Sequence, residues 1–248
     1  MRATVITGVS RGLGAALFDE LASAGDRVMA LGRGFTEDQR AAARAEPDRI
    51  KLRATDLADL GSLPDAAELA AFVGVDTSEA VLVHNAAVFE PFGPIGTLDS
   101  AQLALAVTVN LTAPMLLTNA LFAGEPAPTE AGQDSGTRRT TVVFISSGAA
   151  HRISGGRSAY GSTKRAGEIF MESLKLERAT DPAVRVEIAD PGIMDTDMQA
   201  VVRRHAREDS YFPDRARFLD RYERGELPSP VVVAQRIMRE HLAGRPAD

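Results

Sequence analysis

The chain has 248 residues, 44% of them hydrophobic, which is enough for one domain with a sizeable core. Its formal charge of -6 argues against a nonspecific nucleic-acid binder, and the absence of cysteine excludes disulfides, cysteine nucleophiles and thiolate metal sites. No uninterrupted apolar run reaches membrane-spanning length, no apolar leader precedes the first motif and the four histidines are dispersed, so neither a membrane nor a metal is expected, and a cytoplasmic location is.

In chain order, residues 3–6 form a short β-prone run that leads into Thr7-Gly8-Val9-Ser10-Arg11-Gly12-Leu13-Gly14. Residues 15–24 then have helix-forming composition, ending near Gly25. Residues 27–31 read as the second strand, 36–45 as a helix rich in alanine and arginine, 50–54 as the third strand and 64–72 as a helix. A fourth strand over 80–83 ends at Asn85, and a long helix follows over 100–122. The fifth strand is expected at 140–145, a helix at 159–179, the sixth strand at 184–188 and a last helix at 229–242. This alternation predicts one α/β domain over 1–248, a Rossmann-like doubly wound parallel sheet with helices on both faces. Two segments break the rhythm. Residues 123–140 are rich in turn formers and read as a surface excursion, and residues 193–229, polar and arginine-rich with scattered aromatics, read as a substrate lid.

A glycine-rich turn leaving a first strand lets the backbone approach a pyrophosphate, and the next helix offers its unpaired N–H groups to the same charge. Counted from Gly8, the later glycines fall at offsets four and six rather than the common two and five, so the turn alone is equally a structural feature. The second strand ends Ala30-Leu31-Gly32-Arg33, with no acid in place to hold a ribose hydroxyl. Arg33, helped by Arg11, suits a ribose phosphate, which predicts NADPH rather than NADH.

Tyr160 and Lys164 are four residues apart at the start of a helix and share one face. An ammonium there favours ionisation of the tyrosine, which can pass a proton to a carbonyl oxygen as hydride reaches the carbon. Ser147 follows the fifth strand and can polarise the same carbonyl, although alone it reads as a cap serine. Asn110 lies inside the long helix, where it either satisfies a backbone bend or holds a proton-transfer water.

Together these motifs resemble the classical short-chain dehydrogenase/reductase family. The resemblance runs through the cofactor turn, the adenine-side Asp56-Leu57, the set Asn110, Ser147, Tyr160 and Lys164, and the nicotinamide-side Pro191-Gly192 with Thr196. It implies a cofactor site made by Gly8, Ser10, Arg11, Gly12, Leu13, Gly14, Arg33, Asp56, Leu57, Asn85, Ala86, Ala87, Tyr160, Lys164, Pro191, Gly192, Ile193 and Thr196. The family's Asn-Asn-Ala-Gly after the fourth strand is here His84-Asn85-Ala86-Ala87, so the Ala87 methyl is expected to crowd the cofactor and His84 to make a structural hydrogen bond. Ser146-Ser147-Gly148-Ala149-Ala150 and the run from Pro191 to Gln199 are similar to the benzil reductase and sepiapterin reductase branch.

That branch implies NADPH-dependent reduction of a small-molecule carbonyl compound to an alcohol. Phe89, Ala149, His151, Met194, Met198, Tyr211 and Phe212 follow strand ends and are expected to form a partly apolar substrate pocket. A bulky aromatic ketone or vicinal diketone such as benzil is favoured over sepiapterin, because the pterin-binding acid of those reductases is not matched in the terminal segment. A non-catalytic NADPH-binding module is the other reading, and the intact set of four catalytic positions argues against it. The resemblance further implies a homodimer through helices around the fourth and fifth crossovers. It also implies a seventh strand, which residues 243–248, few and containing glycine and proline, are not expected to supply.

Overall fold

The sheet follows from short, β-rich runs buried on both faces and joined by helices, a pattern that only parallel strands with crossover connections accommodate. In the computed structural model, which describes residues 1–123, 138–208 and 215–243, the strands are β1 Arg2–Thr7, β2 Arg27–Gly32, β3 Ile50–Ala54, β4 Glu79–His84, β5 Arg139–Ile145 and β6 Val184–Ala189. All are parallel, in the order β3-β2-β1-β4-β5-β6. The order reverses between β1 and β4, so a crevice opens at their carboxyl ends.

Alternate strand residues serve two cores. On one face Ile6, Val28, Ala30, Val81 and Val83 meet Leu17 and Leu21 of α1 (Gly12–Ser23) and Ala234 and Ile237 of α9 (Pro230–Ile237). On the other, Val5, Met29, Leu82 and Phe144 meet α3 (Ala66–Val73), α5 (Ala113–Phe122) and α6 (Ser158–Glu177) through Leu69, Leu117 and Met171. The remaining helices are α2 Glu37–Ala45, α4 Ser100–Val107, α7 Asp197–Glu208 and α8 Arg215–Glu223.

The start of α1 departs from the sequence reading, while the long helix expected at 100–122 is present and carries a π-turn. α1 begins at Gly12, inside the glycine motif rather than after it, because those glycines let the first helical turn sit against the end of β1. α4 and α5 are one continuous helix joined by a π-turn at Thr108–Thr112. This 23-residue helix over Ser100–Phe122 is long and apolar enough, by length and composition, to cross a membrane, although Gln102 and Asn110 interrupt its apolar run. Part of it packs into the second core through Val109, Ala113, Leu117 and Leu121.

The turn after α9 is tied to the sheet. After α9 a π-turn over Met238–Leu242 presents carbonyls to Arg2 Nη1 and Arg185 Nη2, each at 2.5 Å. His241 Nδ1 lies 2.9 Å from a Glu187 carboxylate oxygen. Six strands are present among the described residues. Residues 244–248, and most of the excursion expected at 123–140, lie outside them.

Candidate active site

At the switch point the strand ends are stapled together. The Thr7 hydroxyl accepts the backbone N–H groups of Asn85 and Ala86, each at 3.1 Å. The Asn85 side-chain amide donates to the carbonyls of Thr7 and Gly8, both at 3.0 Å. Gly8 takes φ 74°, and a Cβ there would fall 2.8 Å from the Ala86 backbone. From α2, buried Gln39 donates to the Val9 carbonyl at 2.8 Å while completing a capping box with Thr36, so the helix after β2 also props the glycine turn.

A cavity of about 590 Å³ lies over these ends. Its lining includes Gly8, Ser10, Arg11, Gly12, Leu13 and Gly14 from the turn, Arg33 beyond β2, Asp56 and Leu57 beyond β3, and Asn85, Ala86 and Ala87 beyond β4. Tyr160, Lys164, Pro191, Met194, Thr196 and Met198 complete the far side. The three glycines of the turn, the N-terminus of α1 and two arginines on the rim form a cradle that fits a dinucleotide phosphate. Ala87 keeps a negative φ, and its methyl joins an apolar cluster around Phe89. Gly192 turns the chain at φ 71° with its N–H donated to Asp190 at 2.9 Å, while Ile193 packs into that same cluster. Arg11 reaches across to Asp197 at the start of α7, 3.2 Å away.

The polar centre stands where β5 and α6 meet. Tyr160 and Lys164 are both buried on α6. The Lys164 ammonium donates to the Ile145 carbonyl at 2.7 Å and sits 5.9 Å from the Tyr160 ring centroid. Ser147 caps a short 3₁₀ turn, accepting the Ala149 N–H at 3.2 Å, and its hydroxyl is hydrogen-bonded to that of Tyr160. Burial pushes the Tyr160 phenol up to about 12; the Ser147 hydrogen bond opposes this, Asp190 adds to it and Arg157 opposes it. Burial also lowers Lys164 to about 8, against the pull of Glu168. A phenol held protonated at neutral pH, beside a second hydroxyl and a cation, can donate a proton to a carbonyl oxygen.

Asn110 spends its side chain locally. It accepts the Val88 N–H at 2.8 Å and donates to the Val88 carbonyl at 2.8 Å and to Thr163 Oγ1 at 3.1 Å. The π-turn thus clamps the segment after β4 to α6 between Tyr160 and Lys164.

On the side away from the glycine turn the surroundings are aromatic. The Phe89 and Tyr160 rings lie 5.2 Å apart and Phe89 and Phe92 stack at 5.9 Å. Val202 of α7 and Phe218 of α8 are buried against them, with Ala149 and Met198 packed alongside. Phe89, Phe92, Ala149, Val202 and Phe218 belong to this apolar cluster and not to the cavity lining, and of them Phe92, Val202 and Phe218 are not among the residues expected from sequence. The four-residue step from Met198 to Val202 was the available signal, readable only once α7 is known to be helical. Met194 packs into the first core while touching the cavity. His151 turns to Glu168, 3.0 Å away, rather than into the aromatic cluster, because a buried carboxylate attracts its ring. Tyr211 and Phe212 lie outside the described residues.

His84, where the family usually has asparagine, bonds Thr118 Oγ1 at 2.8 Å. Burial, assisted by the charge on Lys164, lowers it to about 3. An unfolded imidazole takes a proton below about pH 6.5, whereas the folded one waits until about 3, so this group's contribution is intact above 6.5 and is lost as pH falls toward 3. At about 1.4 kcal/mol per pH unit, wild-type protein should lose on the order of 2–3 kcal/mol by about pH 4.5 through this group. His84→Asn should flatten that slope in urea unfolding measured across the window; parallel slopes would contradict it.

The sequence matches the short chain dehydrogenase family over residues 2–207. It is 31% identical over 240 residues to a benzil reductase ((S)-benzoin forming) of Bacillus cereus, covering 96% of this chain and 92% of that protein. The benzil reductase of Bacillus subtilis (strain 168) is 32% identical over 237 residues, 94% of this chain and 90% of its own length. Among solved structures, the KRED1-Pglu enzyme superposes with a TM-score of 0.78 at 29% identity, covering 99% of this chain and 97% of its own.

Proposed function

The chain belongs to the short-chain dehydrogenase family, and from that premise we propose that it reduces a bulky aromatic ketone or vicinal diketone, such as benzil, to the alcohol with NADPH. It is an oxidoreductase of that family, whose members use a nicotinamide cofactor. The observation that carries the reading is the joining of Ser147, Tyr160 and Lys164 beside a glycine-floored cavity at the switch point.

The bound cofactor supplies the hydride. Tyr160 gives its phenolic proton to the carbonyl oxygen, and Lys164 stabilises the tyrosinate left behind. Ser147 donates to the same oxygen, so the developing negative charge meets two hydroxyls that burial and hydrogen bonding hold in place. Asn110 fixes the backbone beyond β4 against α6 and so keeps that wall of the site rigid. Lys164 and the glycine turn would hold the ribose and pyrophosphate, and Phe89, Phe92 and Phe218 would exclude water from the substrate side. A side-by-side panel tests the substrate class: benzil-like diketones should show a higher kcat/KM than sepiapterin or simple aliphatic ketones. A clear win for sepiapterin would refute the assignment.

The preference for NADPH rests on Arg33, exposed on the cavity rim where an acid would otherwise hold a ribose hydroxyl. Arg33→Ala should weaken NADPH binding about tenfold or more, consistent with losing a largely solvated charge-assisted bond, and leave NADH nearly unchanged. Equal losses for both cofactors would remove the basis for the preference.

We further propose that two copies pair through the α4–α5 helix and α6. Their outward sides expose Leu105, Val107, Met115, Leu116, Ile169 and Leu176. Light scattering should give a dimer mass across a wide concentration range; a monomer throughout would defeat the pairing.

A further inference from the structure

Glu168 is 3% exposed and one helical turn beyond Lys164 on α6, yet the chemistry above does not use it. Its carboxylate accepts the Ser146 hydroxyl at 2.5 Å, the His151 ring N–H at 3.1 Å and the Arg165 guanidinium at 3.1 Å. Ser146 and His151 bracket the turn that carries Ser147, and Arg165 follows Lys164 directly. One buried acid therefore holds both ends of the serine loop against the helix that bears the other two polar groups.

We propose that Glu168 is a positioning residue of the reductase centre. It ties the Ser147 loop to α6 and places a fixed negative charge next to Lys164. The proposal rests on the reductase reading for its purpose and on NADPH binding at Lys164 for its test. The charged and titratable groups facing Lys164 are His84 from β4 and Tyr160 and Glu168 from its own helix; Glu168 in turn faces His151 and Arg165. Of these, Glu168 supports the protonated ammonium against a burial that pulls it down to about 8.

NADPH binding, followed by its fluorescence across the pH range around 8, reads the ammonium because Lys164, which lines the cavity, would hold the ribose. Wild-type affinity should fall as pH rises through about 8, and Lys164→Met should show no such fall. Glu168→Gln keeps the size and removes the charge; its midpoint should move down by roughly one pH unit, and Glu168→Asp should return toward wild type. A merely structural role would lower the melting temperature without moving the midpoint. Ser146→Ala, which leaves the charge in place, should keep the wild-type midpoint and lower kcat about tenfold. A wild-type midpoint in Glu168→Gln overturns the proposal. If that variant does not fold, an unchanged kcat in Ser146→Ala overturns it. Wild-type protein that binds NADPH with this pH dependence but reduces no carbonyl would sink the reductase reading and leave the midpoint comparison standing.

Discussion

Tyr160→Phe is expected to reduce turnover by a factor on the order of 10²–10⁴ while NADPH affinity stays within a few-fold of wild type. The substitution removes one oxygen. The ring remains, so the contact with Phe89 at 5.2 Å and the packing against Val202 and Phe218 are kept, and the melting temperature should change little. What disappears is the proton. Burial holds the Tyr160 phenol up to about 12, so at neutral pH it is the protonated form that meets the substrate, as reduction requires. Ser147 alone can still polarise the carbonyl, which leaves a residual rate. Stopped-flow loss of NADPH with a saturating diketone measures the effect. Turnover equal to wild type would reject the proton-donor role.

Gly14→Ala is expected to raise the Kd for NADPH by roughly two orders of magnitude and also to destabilise the fold. A Cβ at Gly14 would stand 1.9 Å from the Gly8 carbonyl oxygen and 2.4 Å from the Asn85 side-chain amide. Neither neighbour is the end of a flexible chain. The carbonyl belongs to the glycine turn, and the amide is the staple that joins β4 to β1. Relief requires α1 to lift away from the turn, taking the N–H groups at its start off the pyrophosphate position. Overpacking of this kind costs on the order of 2–3 kcal/mol, a fall in melting temperature of roughly 4–12 °C for a chain of this size. Calorimetry with and without NADPH separates the two effects. A wild-type melting temperature that rises normally with added cofactor would contradict the packing argument.

The sheet was legible because its strands are buried on both faces, and runs such as Ala80-Val81-Leu82-Val83 carry that burial in their composition. Several strand ends were read one residue short, since polar termini such as Arg2, Glu79 and Arg139 continue the hydrogen-bond ladder without looking apolar. The cofactor cradle was legible as a motif, but not the reason for Gly14, which depends on how closely α1 approaches Gly8. The pocket was the least legible part. Met198 reaches the cavity, while Phe89 packs in the apolar cluster beside it. His151 does neither, because its partner Glu168 lies seventeen residues away on another element and looks like an ordinary surface acid in the sequence. Phe92 and Phe218 are brought to that cluster by a loop and by α8, which pattern alone does not orient. Asn110 had two readings, and its side chain makes the contacts of the local one, with Val88 and Thr163.

Isotope transfer reports whether hydride reaches a carbonyl carbon in this active site. Wild-type protein is incubated with benzil and NADPH carrying deuterium at the nicotinamide C4, and the product is analysed by mass spectrometry. The account predicts benzoin with deuterium on the carbinol carbon, formed one for one with oxidised cofactor, and almost none from Tyr160→Phe. Tight NADPH binding with no labelled alcohol from benzil or any other carbonyl offered would contradict it, and would make the chain a cofactor-binding protein rather than a reductase.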